Sequence, residues 1–204
     1  MYSPKHYREE DRRVILDFIL QNEFATVVAF DGEKPIASHL LTELVEDGEV
    51  LLVNGHMSKA NPLWRTFDEG REALLIFQGP HAFVSATWYD HVNVPTWNYQ
   101  SVHAYGVPRL VTDDDQARRI LSRLIRKHEP EAYRLESLPE DFVASHLKGI
   151  MAFQVEITRL EAAFKLSQNR DDNNYRNVVA ELERREDAAS RGVADAMRRN
   201  RPFG

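Results

Sequence analysis

The sequence contains no cysteine. That excludes disulfides, thiolate metal ligands and cysteine nucleophiles, and with them a disulfide-stapled secreted scaffold. It also lacks any run of about 18 apolar residues, the length a helix needs to cross a bilayer, and the opening MYSPKHYREEDRR has no apolar stretch of the kind a secretory signal requires. The expectation is a cytoplasmic protein without a membrane segment. Basic charge is not in excess either: 26 Lys and Arg stand against 32 Asp and Glu, for a formal charge of -6. Affinity for nucleic acid rests chiefly on neutralising phosphates, so this balance disfavours direct DNA binding and leaves room only for a local contact. GxGxxG, GxxxxGK, GxSxG and HExxH are all absent. Their absence argues against a Rossmann dinucleotide site, a P-loop, a serine-hydrolase elbow and a helical zinc site.

What is present is 204 residues, 43% of them apolar, enough for one sizeable core. Val14, Ile15, Phe18 and Ile19 recur at helical spacing after Asp11, which predicts a short opening helix with Asp11 as its cap. The period then shortens. Phe24 to Phe30, Ile36 to Val45 and Val50 to Asn54 read as strands separated by turns at Asp31-Gly32 and Asp47-Gly48. Asn61-Pro62 reads as a helix start, and Ala73 to Gln78, Ala82 to Ser85 and Ser101 to Val111 as further strands. Residues 86–100 form an aromatic loop in this reading. Asp113-Asp114-Asp115 opens an amphipathic helix carrying Ala117, Ile120, Leu121, Leu124 and Ile125 on one face. A short helix follows Pro139, Ile150 to Leu160 alternates as a last strand, and the chain from about Asp171 is helical and charged. So many short strands need their edges resolved, which predicts an α+β fold with a closed or nearly closed antiparallel barrel. The expected division is a domain over 1–170 and a helical extension over 171–204.

Three stretches carry candidate chemistry. Asn54-Gly55-His56-Met57-Ser58-Lys59-Ala60-Asn61-Pro62 places a glycine, a hydroxyl, a cation and a capping amide where a strand runs into a helix start. Such a junction can receive a phosphate, or it can be a capped helix beside a surface lysine. Ser85 to Tyr89 and Pro95 to Gly106 mix Trp, Tyr, His and Asn, a surface on which a planar heterocycle could stack, or an aromatic mini-core. Lys165-Leu166-Ser167-Gln168-Asn169-Arg170 is either a solvated loop or a set of donors for a cofactor's anionic and carbonyl edges. His39, His56 and His103 sit on or beside predicted strands and raise a metal or haem site, but without recognised ligand spacing. No metal site is expected.

Tyr2-Ser3-Pro4, Ala37-Ser38-His39-Leu40, Gly55-His56 through Trp64, Phe77-Gln78-Gly79-Pro80, PTWNY with VHAYG (95–106) and KLSQNR (165–170) together resemble the PaiB family of FMN-binding negative transcriptional regulators. The resemblance spans nearly the whole chain. It implies the split β-barrel of pyridoxamine-phosphate oxidase, a homodimer, and FMN as cofactor. Carried over residue by residue, it implies that Ser38, His39, His56, Ser58, Lys59 and Asn61 lie around the ribityl phosphate, with Lys59 foremost. It further implies that Trp97, Asn98, Tyr99, Val102 and His103 approach the isoalloxazine ring, and that Lys165, Ser167, Gln168, Asn169 and Arg170 close the site. Three functions follow as expectations: a regulator acting through bound flavin, an FMN-dependent oxidoreductase using NAD(P)H, and, lower, a haem-binding or haem-degrading protein. The basic tail residues Arg191, Arg198, Arg199 and Arg201 are the place a local DNA contact would use.

Overall fold

A computed structural model describes residues 1–67 and 70–201. The chain divides into two compact units: a strand unit of Ile19–Phe77 and His103–Leu160, and a tail unit of Met1–Phe18, Gln78–Val102 and Glu161–Gly204. Of the expected extension over 171–204, residues 202–204 lie outside the described residues.

The element order is β1 (Arg8–Glu9), α1 (Arg12–Gln21), β2 (Phe24–Phe30), β3 (Pro35–Asp47), β4 (Val50–Ser58), β5 (Ala73–Val84), β6 (Thr96–Val111), α2 (Asp114–His128), α3 (Glu140–Leu147), β7 (Ile150–Lys165), α4 (Asp172–Glu183) and α5 (Ala188–Asn200). The sheet is seven-stranded in the order β1-β7-β4-β3-β2-β5-β6, and a further pairing of β7 with β6 closes the circuit. Every resolved register is antiparallel. The expected α+β barrel is therefore present, with its edges resolved by closure.

In the strand unit, alternation decides what each residue does. Ala25, Val27 and Ala29 of β2 and Leu51, Val53 and Met57 of β4 are buried, while their neighbours in sequence point the other way. The outward face is covered by α2, whose Ala117, Ile120 and Leu124 form a second cluster with Val111 and Ala152, flanked by Leu41 and Leu147. Asp113 caps α2 by accepting from the Gln116 amide at 2.8 Å. Asp113→Ala should cost about 1 kcal/mol, a fall in melting temperature of about 2–4 °C for a chain of this size, measured by thermal circular dichroism. Asp11 caps α1 in the expected way, accepting from the Arg13 amide at 2.8 Å.

Three expectations need correction. The helix after Asn61-Pro62 is a single 3-10 turn, Pro62–Thr66, too short to supply a useful dipole. The strands expected at Ala73 to Gln78 and Ala82 to Ser85 are one strand, β5, which runs through Gly79-Pro80 and ends at Val84, with Ser85 capping the 3-10 turn that follows. The last β2 partner on β5 is Ile76 opposite Thr26, so Pro80 lies beyond that pairing and removes no hydrogen bond from it. The aromatic loop ends earlier than expected, because β6 already begins at Thr96.

In the tail unit, α4 and α5 bury Tyr175, Val178, Leu182, Val193 and Met197. The Tyr175 hydroxyl donates to the Met197 carbonyl at 2.8 Å, tying one helix to the other, and burial pushes its pKa up to about 12.

Candidate functional site

The strand unit holds Ser38, His39, His56, Ser58, Lys59, Asn61 and His103. The β2–β3 register sets Ser38 opposite buried Val27 and His39 opposite Thr26, so these neighbours point to opposite faces. Ser38 meets the phosphate candidates: the Asn61 side-chain amide donates to its hydroxyl at 2.8 Å. His39 instead hydrogen-bonds Thr26 at 2.9 Å and stacks on Phe24 with ring centroids 6.1 Å apart. His103 lies on β6 with its ring edge-on to Tyr105 at 6.3 Å.

The turn that follows β4 is pinned through its backbone. The Lys59 amide donates to the Gly149 carbonyl at 2.9 Å, and the Lys59 carbonyl accepts from the Trp64 indole at 2.9 Å. Asn61 is spent as a cap, accepting from the Leu63 amide at 3.0 Å. What this leaves is the exposed Lys59 ammonium, which has no ion-pair partner among the described residues. Gly55 has a packing reason: an added Cβ would sit 2.5 Å from the Phe153 ring.

His56 lines a cavity of about 440 Å³ with Met57, Ser58, Ser145, His146, Gly149 and Ile150. Its Nδ1 is buried without a hydrogen-bond partner among the described residues. Burial lowers its pKa, so the ring is neutral near pH 7 and can donate or accept. The cavity's orphaned imidazole nitrogen and two serine hydroxyls, with the Lys59 ammonium one residue beyond Ser58 and outside the lining, are chemically suited to a ligand with a phosphate and hydroxyls. Ser145, His146 and Gly149 were not legible in the sequence, because the turn from α3 into β7 is about ninety residues away from Lys59.

The tail unit holds Trp97, Asn98, Tyr99, Val102 and Lys165 to Arg170. Here the KLSQNR string is a structural clasp as much as a donor set. Asn98 is fully buried and exchanges hydrogen bonds with Ser167, at 2.9 and 3.2 Å. Ser167 has φ of 62°, left-handed for a residue other than glycine, and the Asn98 contact helps to hold it there. Gln168 folds back on its own turn, accepting from the Leu166 amide at 2.7 Å and donating to the Phe164 carbonyl. Val102 is core. Trp97 is exposed and donates to His81 at 3.2 Å, whereas Tyr99, Lys165 and Arg170 are half-buried and Asn169 is exposed.

Asp90 anchors the loop before β6. It hydrogen-bonds His91 at 2.8 Å and accepts from Asn174 and Asn173 at 2.9 and 3.0 Å, and these bonds hold its pKa at about 2. A carboxyl whose folded pKa lies below its unfolded value stabilises above the unfolded pKa and loses that contribution as pH falls through the folded one. Asp90→Asn should therefore melt below the wild type at neutral pH. The gap should close between about pH 4 and pH 2 in a series of thermal melts.

The "Putative FMN-binding domain" family matches residues 1–159, and the chain belongs to it. Over 199 residues it is 37% identical to the protease synthase and sporulation protein PAI 2 of Bacillus subtilis (strain 168), covering 97% of this chain and 96% of the relative. The chain is thus a PaiB-like member of an FMN-binding family. Among solved structures it is similar to the flavocytochrome Anf3 of Azotobacter vinelandii, with a TM-score of 0.63 at 15% identity over 83% of this chain and 75% of that one. It is also similar to the FAD and heme binding protein of Mycobacterium smegmatis, with a TM-score of 0.58 at 18% identity over 85% and 80%. These likenesses establish the fold, the α+β split barrel.

Proposed function

We propose that this chain is a cytoplasmic, homodimeric regulator that acts through bound FMN, holding the flavin's phosphate at the turn after β4. The observation that carries this reading is the Lys59 ammonium, pinned at its backbone, exposed at its tip and without an acid partner among the described residues. Ser58 and the neutral His56 supply donors next to it, and Asn61 with Ser38 fixes the turn. FMN when bound would supply reversible electron storage. In the tail unit, taken by itself, Tyr99, Lys165 and Arg170 are half-buried, whereas Asn98 and Ser167 are spent on each other.

The homodimer reading is supported by apolar surface on the strand unit, where Phe24 is 67% exposed and Phe30 47%. Light scattering after size exclusion should give twice the 23.6 kDa chain mass; a monomer at micromolar concentration would refute this part. Direct DNA contact is left with few unpaired cations on the tail, the exposed Arg199 among them. Arg198 and Arg201 pair with Glu183 and Asp172, and Arg191 donates to the backbone of its own helix connection. On α2, Arg118, Arg123 and Arg126 are matched by Glu140, Glu43 and Glu136. Regulation is thus assigned to a partner protein or a flavin-dependent change of state.

The test is the visible spectrum of the FMN-loaded protein before and after anaerobic NADH or NADPH. The regulator reading predicts a flavin band that persists. Rapid, catalytic bleaching would move the assignment to an oxidoreductase.

A further inference from the structure

The strand unit carries another cavity, of about 330 Å³, walled by α2 on one side and by β3, β4 and β7 on the other. It shares no residue with the cavity that His56 lines. A sheet face covered by a helix ordinarily presents apolar side chains, but here it holds a buried polar pair. Asn54 is 1% exposed, and the register sets it directly opposite Gln154 of β7. Gln154 Nε2 donates to Asn54 Oδ1 at 3.0 Å, and among the described residues this is the one side-chain hydrogen bond that either amide makes. The Asn54 nitrogen and the Gln154 oxygen are left over, and both residues line the cavity. Turning both amides over exchanges their roles and leaves the same inventory, one spare donor and one spare acceptor. Burying an amide without partners is unfavourable, so the pair is placed to be completed from the cavity.

Charges of both signs line the same cavity. Arg119 and Arg123 lie one turn apart on α2 and project side by side. Among the described residues Arg123 spends only its Nε, on Glu43 at 2.8 Å, which leaves both terminal nitrogens for other work. Arg119 has a single ion-pair partner among the described residues, Asp113 at 4.0 Å, too long for a hydrogen bond. Asp47, at the end of β3, is exposed and has no ion-pair partner among the described residues. Val45, Leu52 and Ile120 add apolar surface, and the Gln116 side chain adds a further amide. What suits such a wall is a small molecule with an anion, a cation, a short aliphatic stem and a polar tip.

We infer that this cavity binds a free α-amino acid with an amide side chain, its carboxylate held by Arg119, Arg123 and the Asn54 amide and its ammonium by the Gln154 oxygen and Asp47. The stem lies against Val45, Leu52 and Ile120, and Gln116 meets the terminal amide. Guanidinium groups offer donors alone and a carboxylate acceptors alone, so the two ends of the ligand are not interchangeable. The volume is at the small end of the range for ligand sites, about 300–1,000 Å³, which suits a single amino acid. No residue is shared with the Lys59 turn, so this reading and the flavin reading stand or fall separately.

The experiment titrates the full chain with L-glutamine by calorimetry and NMR, and in parallel with N-acetyl-L-glutamine, which lacks the ammonium, and L-glutaminamide, which lacks the carboxylate. L-Glutamine should bind with a dissociation constant of about 1 mM or tighter, and both analogues at least about tenfold more weakly. Arg119→Gln and Asp47→Asn, both at exposed positions, should each weaken L-glutamine by about fivefold or more. Their melting temperatures should stay within about 2 °C of the wild type. Asn54→Leu removes the spare donor and should weaken binding at least as much; should it fail to fold, the two exposed variants decide. Lys59→Ala should bind L-glutamine like the wild type while losing FMN. The inference is overturned if L-glutamine does not bind below about 10 mM, if either analogue binds as well, if Arg119→Gln and Asp47→Asn bind like the wild type, or if Lys59→Ala loses L-glutamine.

Discussion

Lys59→Ala is expected to weaken FMN binding by about 10- to 100-fold, the loss of a charge-assisted phosphate contact of about 1.5–3 kcal/mol. The argument has two halves. The backbone of Lys59 is held at both ends, by Gly149 and by Trp64, so the substitution leaves the turn in place. Its side chain is exposed and without an acid partner among the described residues, so removing it costs the fold little. Flavin fluorescence quenching gives the dissociation constant and a thermal melt the control: affinity should fall while melting temperature stays within about 2 °C. Ser58→Ala should weaken FMN by only a few-fold, since a neutral hydroxyl contributes less than a cation, with a small fall in melting temperature because its Oγ accepts from the Ala60 amide at 3.2 Å. A large loss of stability in Lys59→Ala would place the lysine in the architecture instead.

The second large effect belongs to Gly106. An alanine there would bring its Cβ to 2.1 Å from the Glu156 carbonyl oxygen and 2.8 Å from the carbon behind it. Both are backbone atoms of β7, so neither can swing away, and relief requires parting β6 from β7 at the pairing that closes the sheet. Gly106→Ala should lower the melting temperature by at least about 10 °C or leave the protein insoluble, the range of severe backbone strain. Gly149→Ala is the control: its Cβ would meet nothing closer than 3.4 Å, and the change should be close to neutral. A melting temperature for Gly106→Ala like that of the control would refute the close approach.

Gly106 also shows how a sequence can point to the right residue for an incomplete reason. It belongs to the VHAYG string that carries the family resemblance, and nothing local says that its role is to admit another strand's backbone. The strands Phe24–Phe30 and Val50 onward were legible, because apolar and polar residues alternate there with the apolar set inward. The start of β6 was hidden for the opposite reason. In Trp97-Asn98-Tyr99-Gln100 the polar residues are buried and Trp97 is exposed, inverting the usual pattern, and Asn98 is satisfied by a serine 69 positions away. The 3-10 turn after Asn61 took the cap and the proline expected of a helix but stopped after five residues. As a result the phosphate reading rests on side chains, with no helix dipole behind it.

The candidate site was legible in parts. Lys59 and Ser58 stand out by residue type at a strand end, and the structure adds what spacing could not: His56 Nδ1 without a partner among the described residues, and a cavity completed by Ser145, His146 and Gly149. Ser38 and His39 were adjacent candidates, and strand alternation separates them, keeping Ser38 beside Asn61 and sending His39 to Thr26. The partner of Asn169 could not have been found from its surroundings in the sequence. It is Tyr7, across 162 positions, a contact that only the folded tail unit creates.

The central claim is that the turn after β4 grips a flavin by its phosphate, and the most direct test compares FMN with riboflavin on the purified wild-type protein. The two ligands share the ring and the ribityl chain and differ only in the group assigned to Lys59. The account predicts that FMN binds at least about tenfold more tightly than riboflavin, and that raising salt narrows the gap. Equal affinities for the two, or no measurable affinity for FMN, would contradict it.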